Sequence, residues 1–367
     1  MNRTLVEKRE VSATEERRIG SNSWLVAPGV WRLKDIFVNV FIVQNRDATD
    51  WVLVDAGLKT TAERLRTLVT DLFGKGSRPK AIVLTHAHFD HRGSLIELAD
   101  SWGVPVYCHH QERPYLTGQA SYPPPDPSVG GGMMSTLSFV YPRKPINAEQ
   151  YLRELPEDGS IPELEDWKWI HTPGHTPGHI SLFREKDGVL VAGDAFVTTM
   201  QESLLAVISQ KKYVCGPPKY FTTDWGAAAR SVRALAALEP NVVVTGHGQA
   251  MYGDEVRKEL HKLTREFWKW GMPAAGRYVK EAAQFNEDGV PTHIPKPRGH
   301  MWKRVAVAAG LFALGYIIYS QRKKTSGLNR KVTEKLGRTL MGSTLGALGA
   351  AAPVSPAVPS LPLIPAL

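Results

Sequence analysis

The chain has 367 residues, 43% of them hydrophobic and 22% charged, which fits a globular protein with a large buried core. Its two cysteines, Cys108 and Cys215, are far apart, which excludes a disulfide scaffold and a cysteine-rich zinc module and fits a reducing compartment. The net charge of +9 sits at one end: residues 292–367 hold 11 Lys and Arg against one acid, Glu334, leaving 34 basic and 35 acidic residues in 1–291. The body is therefore neutral and lacks the basic face that a nucleic-acid partner requires.

Residues 1–22 are polar and charged and read as a loose arm, without the apolar stretch of a cleaved secretory signal. A catalytic body is expected over 23–291. It begins with short β-rich runs, "WLVAPGVWRL", "FVNVFIVQ" and "WVLVDAG", separated by turn residues. "TTAERLRTLVTDLFG" has apolar residues at helical spacing and ends on Gly74, so it reads as a helix. "KAIVLT" is a short strand, "SLIELADSWG" a helix and "VPVYC" a strand. This alternation argues for a layered α/β fold. Residues 113–147 interrupt it with three consecutive prolines and three consecutive glycines, as a lid or as a floppy insertion. Strands resume with "WKWIHT", "HISLFRE" and "VLVAGD". A helix from about Trp225 to Leu238 has Asp224 as its N-cap. "NVVVTGHG" is a further strand, and residues 254–285 read as an amphipathic helical region.

A basic linker, 292–304, leads out of the body. Residues 305–321 then run uncharged between Arg304 and Arg322. As a helix they would extend roughly 25 Å at about 1.5 Å per residue, against a bilayer core of about 30 Å. Lys303, Arg304, Arg322, Lys323 and Lys324 could snorkel outward. The segment is a candidate transmembrane helix, which gives membrane association through the tail with a cytoplasmic catalytic domain as the default; a buried or partner-binding helix is the rival reading. Residues 322–367 are basic at first and then apolar, with Pro353, Pro356, Pro359, Pro362 and Pro365 at every third position. That spacing suits a polyproline II docking peptide, or an end without structure.

The chemistry is concentrated in "THAHFDHRGS", residues 85–94, where His86, His88, Asp90 and His91 fall within six positions. After a strand, residues two apart share a face, so His86 and His88 can reach one metal. Asp90 and His91 can face a second point nearby. Neutral imidazole with carboxylate suits zinc, and also iron or manganese. Further donors stand at strand ends beside glycine: His175 in "HTPGHTPGH", Asp194 in "VLVAGDAF" and His247 in "VVVTGHG".

In this order, HxHxDH, then GH, GD and GH, the chain resembles the metallo-β-lactamase superfamily, over about residues 24–250. It is most similar to the glyoxalase II-like hydrolases, and the run "GDAFVTTMQESLLAVISQKKYVCGPPKYFTTDW" resembles a branch of poorly defined substrate. The resemblance implies an αββα sandwich with metals at one edge between the sheets. It implies that His86, His88 and His175 hold one metal, that Asp90, His91 and His247 hold a second, and that Asp194 bridges them. It also implies that Asp55 supports the metal-binding loop by hydrogen bonds.

Two zinc ions at such a site would lower the pKa of a water held between them to about 7 and so supply a nucleophilic hydroxide. Asp90 could take the proton of the attacking water and pass it to the leaving group. His179 reads as a support for the ligands, and His171 as structural. His109 and His110 read as a solvated pair. Tyr213, Tyr220 and Met133 are candidates to line a pocket for a small-molecule substrate. The leading expectation is a dinuclear zinc hydrolase acting on an ester, thioester, lactone or amide-type substrate. A mononuclear iron persulfide dioxygenase and a non-catalytic, membrane-docked metal-binding protein are the alternatives.

Overall fold

The computed structural model describes residues 15–45 and 49–297. Eight strands form the first sheet in chain order: β1 (Arg17–Arg18), β2 (Ser23–Ala27), β3 (Val30–Asp35), β4 (Val38–Gln44), β5 (Trp51–Val54), β6 (Ala81–Val83), β7 (Val106–Cys108) and β8 (Leu152–Glu154). Strands β2 to β5 are an antiparallel meander, with Val30 opposite Val43 and Phe41 opposite Val54. From β5 to β8 the pairing is parallel. The first two crossovers are α1 (Ala62–Phe73) and α2 (Leu95–Trp102), and residues 109–151 make the third. The second sheet contains β9 (Lys168–His171), β10 (Ile180–Arg184), β11 (Val189–Val191), β12 (Val242–Val244) and β13 (Met251–Tyr252), in the order β13-β12-β11-β10-β9.

Period-two alternation sorts the side chains into layers. Val52 and Val54 of β5, with Val189 and Val191 of β11 and Val242 and Val244 of β12, pack together between the two sheets. Trp51 and Leu53 point the other way, against Leu65, Leu68 and Val69 of α1 and Leu98 of α2. Leu190 and Val243 do the same on the second sheet, against α6 (Trp225–Ala236) and α7 (Gly253–Arg265). The layers are therefore α, β, β, α. Strands this short can be apolar throughout because both faces are covered. α6 starts where the sequence places its cap: the Asp224 carboxylate accepts from the Ala227 amide at 2.9 Å.

Three segments depart from the sequence expectations. The end of the polar arm is pinned rather than loose. Arg17 pairs with Leu25 on β2, and Glu16 forms an ion pair with the buried Arg32 at 2.8 Å. The 113–147 segment is not a plain loop. It contains two one-turn helices, α3 (Arg113–Leu116) and α4 (Met133–Thr136), and puts Tyr115, Leu116 and Tyr122 into the outer core of the first sheet. Asp126 anchors its middle, accepting from the Ser128 and Arg277 amides and donating its own N–H to Tyr220 O at 2.8 Å. The helical region after 253 stops early. A π-turn at Phe267–Gly271 ends it, and Met272, which precedes Pro273, is extended at φ −115°, ψ 162°. Proline disfavours the helical conformation in the residue before it. The chain then forms the ribbon β14 (Gln284–Phe285) and β15 (Pro291–His293), so strand structure runs past residue 291.

One short helix, α5 (Leu204–Ser209), lies in the run after Asp194 and is capped by Ser203. No helix of the described residues is long and apolar enough to cross a membrane. The candidate segment 305–321, most of the basic linker and the proline-rich end lie outside the described residues.

Candidate metal centre

All seven predicted metal donors meet at one edge of the two sheets. His86 and His88 follow β6, which ends at Val83. A tight turn then brings Asp90 and His91 back, with the His91 amide donating to His88 O at 3.0 Å. His175 sits in the turn between β9 and β10. Asp194 follows β11 and His247 follows β12. Gly246 is required beside them, because a Cβ there would collide with Asp194 Oδ1 and lie 2.8 Å from His91 Cε1. Three donor groups result, each with its ligand atoms within 4.8 Å of one another and all buried: His86, His88 and His175; His86, His91 and Asp194; Asp90, His91 and His247.

Hydrogen bonds behind the rings fix which nitrogen faces the centre. The Thr85 hydroxyl donates to Asp55, so it can only accept from His86 Nδ1–H, at 3.1 Å. The Thr222 hydroxyl donates to Pro218 O and accepts from His175 Nδ1–H at 3.1 Å. His91 Nδ1–H donates to Asp55 Oδ2 at 2.8 Å, and His247 Nδ1–H to Phe37 O at 2.7 Å. Four imidazoles thereby turn Nε2 inward, bare on His86 and His175, while His247 Nε2–H donates to Asp194 Oδ2 at 3.1 Å. His88 faces inward with Nδ1, 3.0 Å from His175 Nε2.

The spacing of these donors is that of ligands around a cation. Asp194 Oδ2 lies 3.1 Å from His247 Nε2, 3.5 Å from His175 Nε2 and 3.6 Å from His91 Nε2. Asp90 Oδ2 is 3.6 Å from His247 Nε2. A tetrahedral metal with ligands at about 2.1 Å separates its donors by roughly 3.4 Å. His86 Nε2, His91 Nε2 and Asp194 Oδ1 are buried with no hydrogen-bond partner, an expensive arrangement for protein alone. The donor set fits a pair of divalent cations.

The electrostatics divide along the same line. Burial, then the neighbouring rings, push His86 and His88 well below the ordinary histidine value, and burial takes His175 down to about 3. These rings are neutral, as ligands must be. Burial also opposes charge on His91 and His247, but the carboxylates outweigh it. Asp55, Asp194 and Asp90 hold His91 well above the ordinary value, and Asp194 chiefly raises His247. Burial raises Asp90. For Asp194 burial is outweighed by His247 and His91, which hold it well below the usual carboxylate range. This half of the centre attracts positive charge.

The supporting residues are placed as follows. His179 stands behind Asp194: its Nε2 accepts from the Asp194 amide at 2.8 Å and its Nδ1–H donates to Thr172 Oγ1 at 2.8 Å, so neither nitrogen is free for a metal. Asp55 accepts from Thr85 and His91. Tyr220 is buried, its ring 5.0 Å from Phe221, which stacks on His88 at 4.4 Å. Tyr213 and Met133 are exposed. His109 is not solvated; it is buried and stacks on His171 at 4.3 Å. His171 in turn donates to Pro177 O at 2.8 Å.

Glu112 was not singled out by any motif. It is fully buried and joins the two histidine-bearing loops. Its Oε2 accepts from the Ala87 amide at 3.0 Å and from the Tyr122 hydroxyl; its Oε1 accepts from Thr176 Oγ1 at 2.7 Å and the Gly178 amide at 2.9 Å. One signal could have found it. Asp55, His86 and Glu112 all follow the C-terminal ends of parallel strands, β5, β6 and β7, where open α/β sheets place their ligands.

Comparison with known proteins agrees with this geometry. Residues 33–247 match the family profile described as the metallo-beta-lactamase superfamily. The chain is similar to the probable metallo-hydrolase YflN of Bacillus subtilis, 46% identical over 238 residues, which is 65% of this chain and 90% of that one. It is 26% identical to the probable metallo-hydrolase YybB of the same organism, over 58% of this chain and 83% of that one. Among solved structures, a Cronobacter sakazakii metallo-beta-lactamase matches at 18% identity and a TM-score of 0.47, covering 69% of this chain and 94% of the other. With most of residues 24–250 matched, the HxHxDH stretch included, the chain belongs to the metallo-beta-lactamase superfamily.

Proposed function

We propose that the chain is a metal-dependent hydrolase, with two zinc ions as its cofactor and a small-molecule ester, thioester, lactone or amide as substrate. The observation that carries this reading is the set of four imidazoles whose Nδ1 hydrogen bonds turn Nε2 to one point, around a carboxylate within 3.1–3.6 Å of three of them. His86, His88 and His175 would hold one ion, Asp90, His91 and His247 the other, and Asp194 both. A bound zinc pair acidifies water and polarises a carbonyl or phosphoryl oxygen.

The chain's own groups do the rest. Asp90 is buried beside the centre and burial raises its carboxyl, a direction that suits taking a proton from the attacking water and passing it to the leaving group. Asp55, Thr85, Thr222 and the Phe37 carbonyl keep the imidazoles in the required tautomers. Phe37, Phe89, Tyr141 and Phe221 form a run of ring contacts beside His247 and His88. Membrane association through 305–321, with the body on the cytoplasmic side, belongs to the same proposal and rests on the uncharged run between cations.

Elemental analysis of the purified protein, followed by a screen of esters, thioesters, lactones and β-lactams, tests the reading. Two zinc ions per chain with hydrolysis of one of these classes is the expected result. A single iron per chain with oxygen uptake on a persulfide would replace it with sulfur oxygenation.

A further inference from the structure

Leu205 is the most exposed large apolar residue among those described, at 79%, and Ile208 follows at 68%. They are three apart on α5 and share its outer face, while Val207 is buried beneath. Lys211, Lys212 and Tyr213, all exposed, come directly after. Apolar side chains on one face, cations at the end and a tyrosine at the boundary are the composition of a helix that lies in a membrane interface.

This face is connected to the metal centre. A Cβ on Gly132 would lie 3.0 Å from Ser203 Cα, and the Met134 amide donates to Glu202 O at 3.1 Å, so the exposed Met133 stands beside the start of α5. The Tyr141 hydroxyl donates to Met134 O at 3.1 Å. The Tyr141 ring is 5.7 Å from Phe89 and 5.9 Å from Phe221, and Phe221 stacks on His88. A path of neighbouring residues thus links α5 to a metal donor, its inner part the rings of Tyr141, Phe89 and Phe221.

We propose that α5 and the Met133 turn seat in the headgroup–acyl boundary of an anionic bilayer, and that the substrate is an amphiphile whose acyl chain enters along this path. Anionic headgroups match Lys211 and Lys212. The uncharged 305–321 run, with cations at both ends, is a second part of the chain for which membrane association is proposed. A protein partner or a second copy would cover the same apolar face, and the test separates them from a bilayer. The substrate class rests on the hydrolase reading; the docking surface does not.

The test uses the full chain. Cys108 and Cys215 are buried, so an introduced cysteine takes a label selectively. An environment-sensitive fluorophore is placed at Leu205→Cys and, as reference, at Ile96→Cys on α2. With vesicles of equal parts phosphatidylglycerol and phosphatidylcholine, the probe at 205 shifts to the blue and is quenched by acyl-brominated lipid, and the probe at 96 is not. A chain that floats with the vesicles while the probe at 205 stays unchanged overturns the proposal. A blue-shifted probe in buffer alone also overturns it, since the chain itself or a second copy then covers the face. The Leu205→Glu, Ile208→Glu variant loses at least about tenfold in kcat/KM on a long-chain ester carried in those vesicles. It keeps its metal content and its rate on a short soluble ester. Equal loss on both esters rejects the acyl substrate. Insertion without hydrolysis of any ester would sink the hydrolase reading and leave the docking surface standing.

Discussion

His91 donates through Nδ1 to Asp55 Oδ2 at 2.8 Å, with both side chains fully buried. Asp55 holds a left-handed backbone, φ 65°, to reach this position, a conformation that non-glycine residues adopt at some cost. The same carboxylate accepts from the Thr85 amide at 2.8 Å and so ties β5 to the loop after β6. The bond raises the basicity of His91 and turns its Nε2 toward the centre. Asp55→Asn retains the shape and removes the charge. Its metal affinity should fall by about 10–100-fold, as for other outer partners of metal-bound histidines. Competition with a chelator measures this, and unchanged affinity for both metal equivalents would reject the role.

Asp194 is the donor shared by both halves of the centre. Its Oδ2 lies within reach of His91, His175 and His247, and Oδ1 has no other partner. Asp194→Ala should lose metal and activity together, beyond the roughly 100-fold typical of an outer partner. Paired zinc content and hydrolysis assays decide it. A variant that stays fully metallated and active would exclude a bridging role.

The clustering of these seven residues was legible because metal chemistry restricts residue type and because strand ends restrict position. His86 and His88 share a face by the period of two, and His175, Asp194 and His247 each stand at a strand end beside glycine. The layers were legible from short apolar runs alternating with helical periodicity. Glu112 was not, since its partners Ala87, Thr176 and Gly178 come from distant parts of the chain and leave no local pattern. The order within 113–147 was hidden for the same reason: Asp126 and Tyr122 are held by tertiary contacts. His109 looked like half of a polar pair, but its place is set by His171, on another sheet.

Glu112 gives the apoprotein a pH dependence. Burial raises its pKa from 4.5 to about 7, against the four donors that favour the ionised form. An acid raised in the folded state binds more protons folded than unfolded between those values. Its stabilising contribution is therefore full below about pH 4.5 and is lost as pH rises through about 7, a change of about 3 kcal/mol. Glu112→Gln cannot ionise, and its amide NH2 would also face a donor. Urea unfolding in chelator at pH 5 and pH 8 should show wild type losing its advantage over the variant at the higher pH. Parallel pH profiles would show that Glu112 does not titrate in this window.

The tail and α5 should separate by salt. Docking through Lys211, Lys212 and a few apolar side chains is screened by salt, whereas a 17-residue apolar segment in a bilayer is not. The full chain should stay with membranes through a high-salt wash, and a chain ending at Pro297 should be released. Full release of the complete chain by salt would remove the membrane-embedded reading of 305–321.

The 128–133 stretch is the part of the 113–147 segment that can change without disturbing the core. Tyr122 and Asp126 are anchored, but Met133 is exposed and Gly131 and Gly132 lie against Glu202 at the start of the α5 run. Replacing 128–133 by a shorter glycine linker should leave metal content unchanged and alter kcat/KM between long and short substrates by several-fold, with the larger part in KM. Steady-state kinetics over a series of esters of increasing chain length measures it. Identical ratios across the series would show that this stretch takes no part in choosing the substrate.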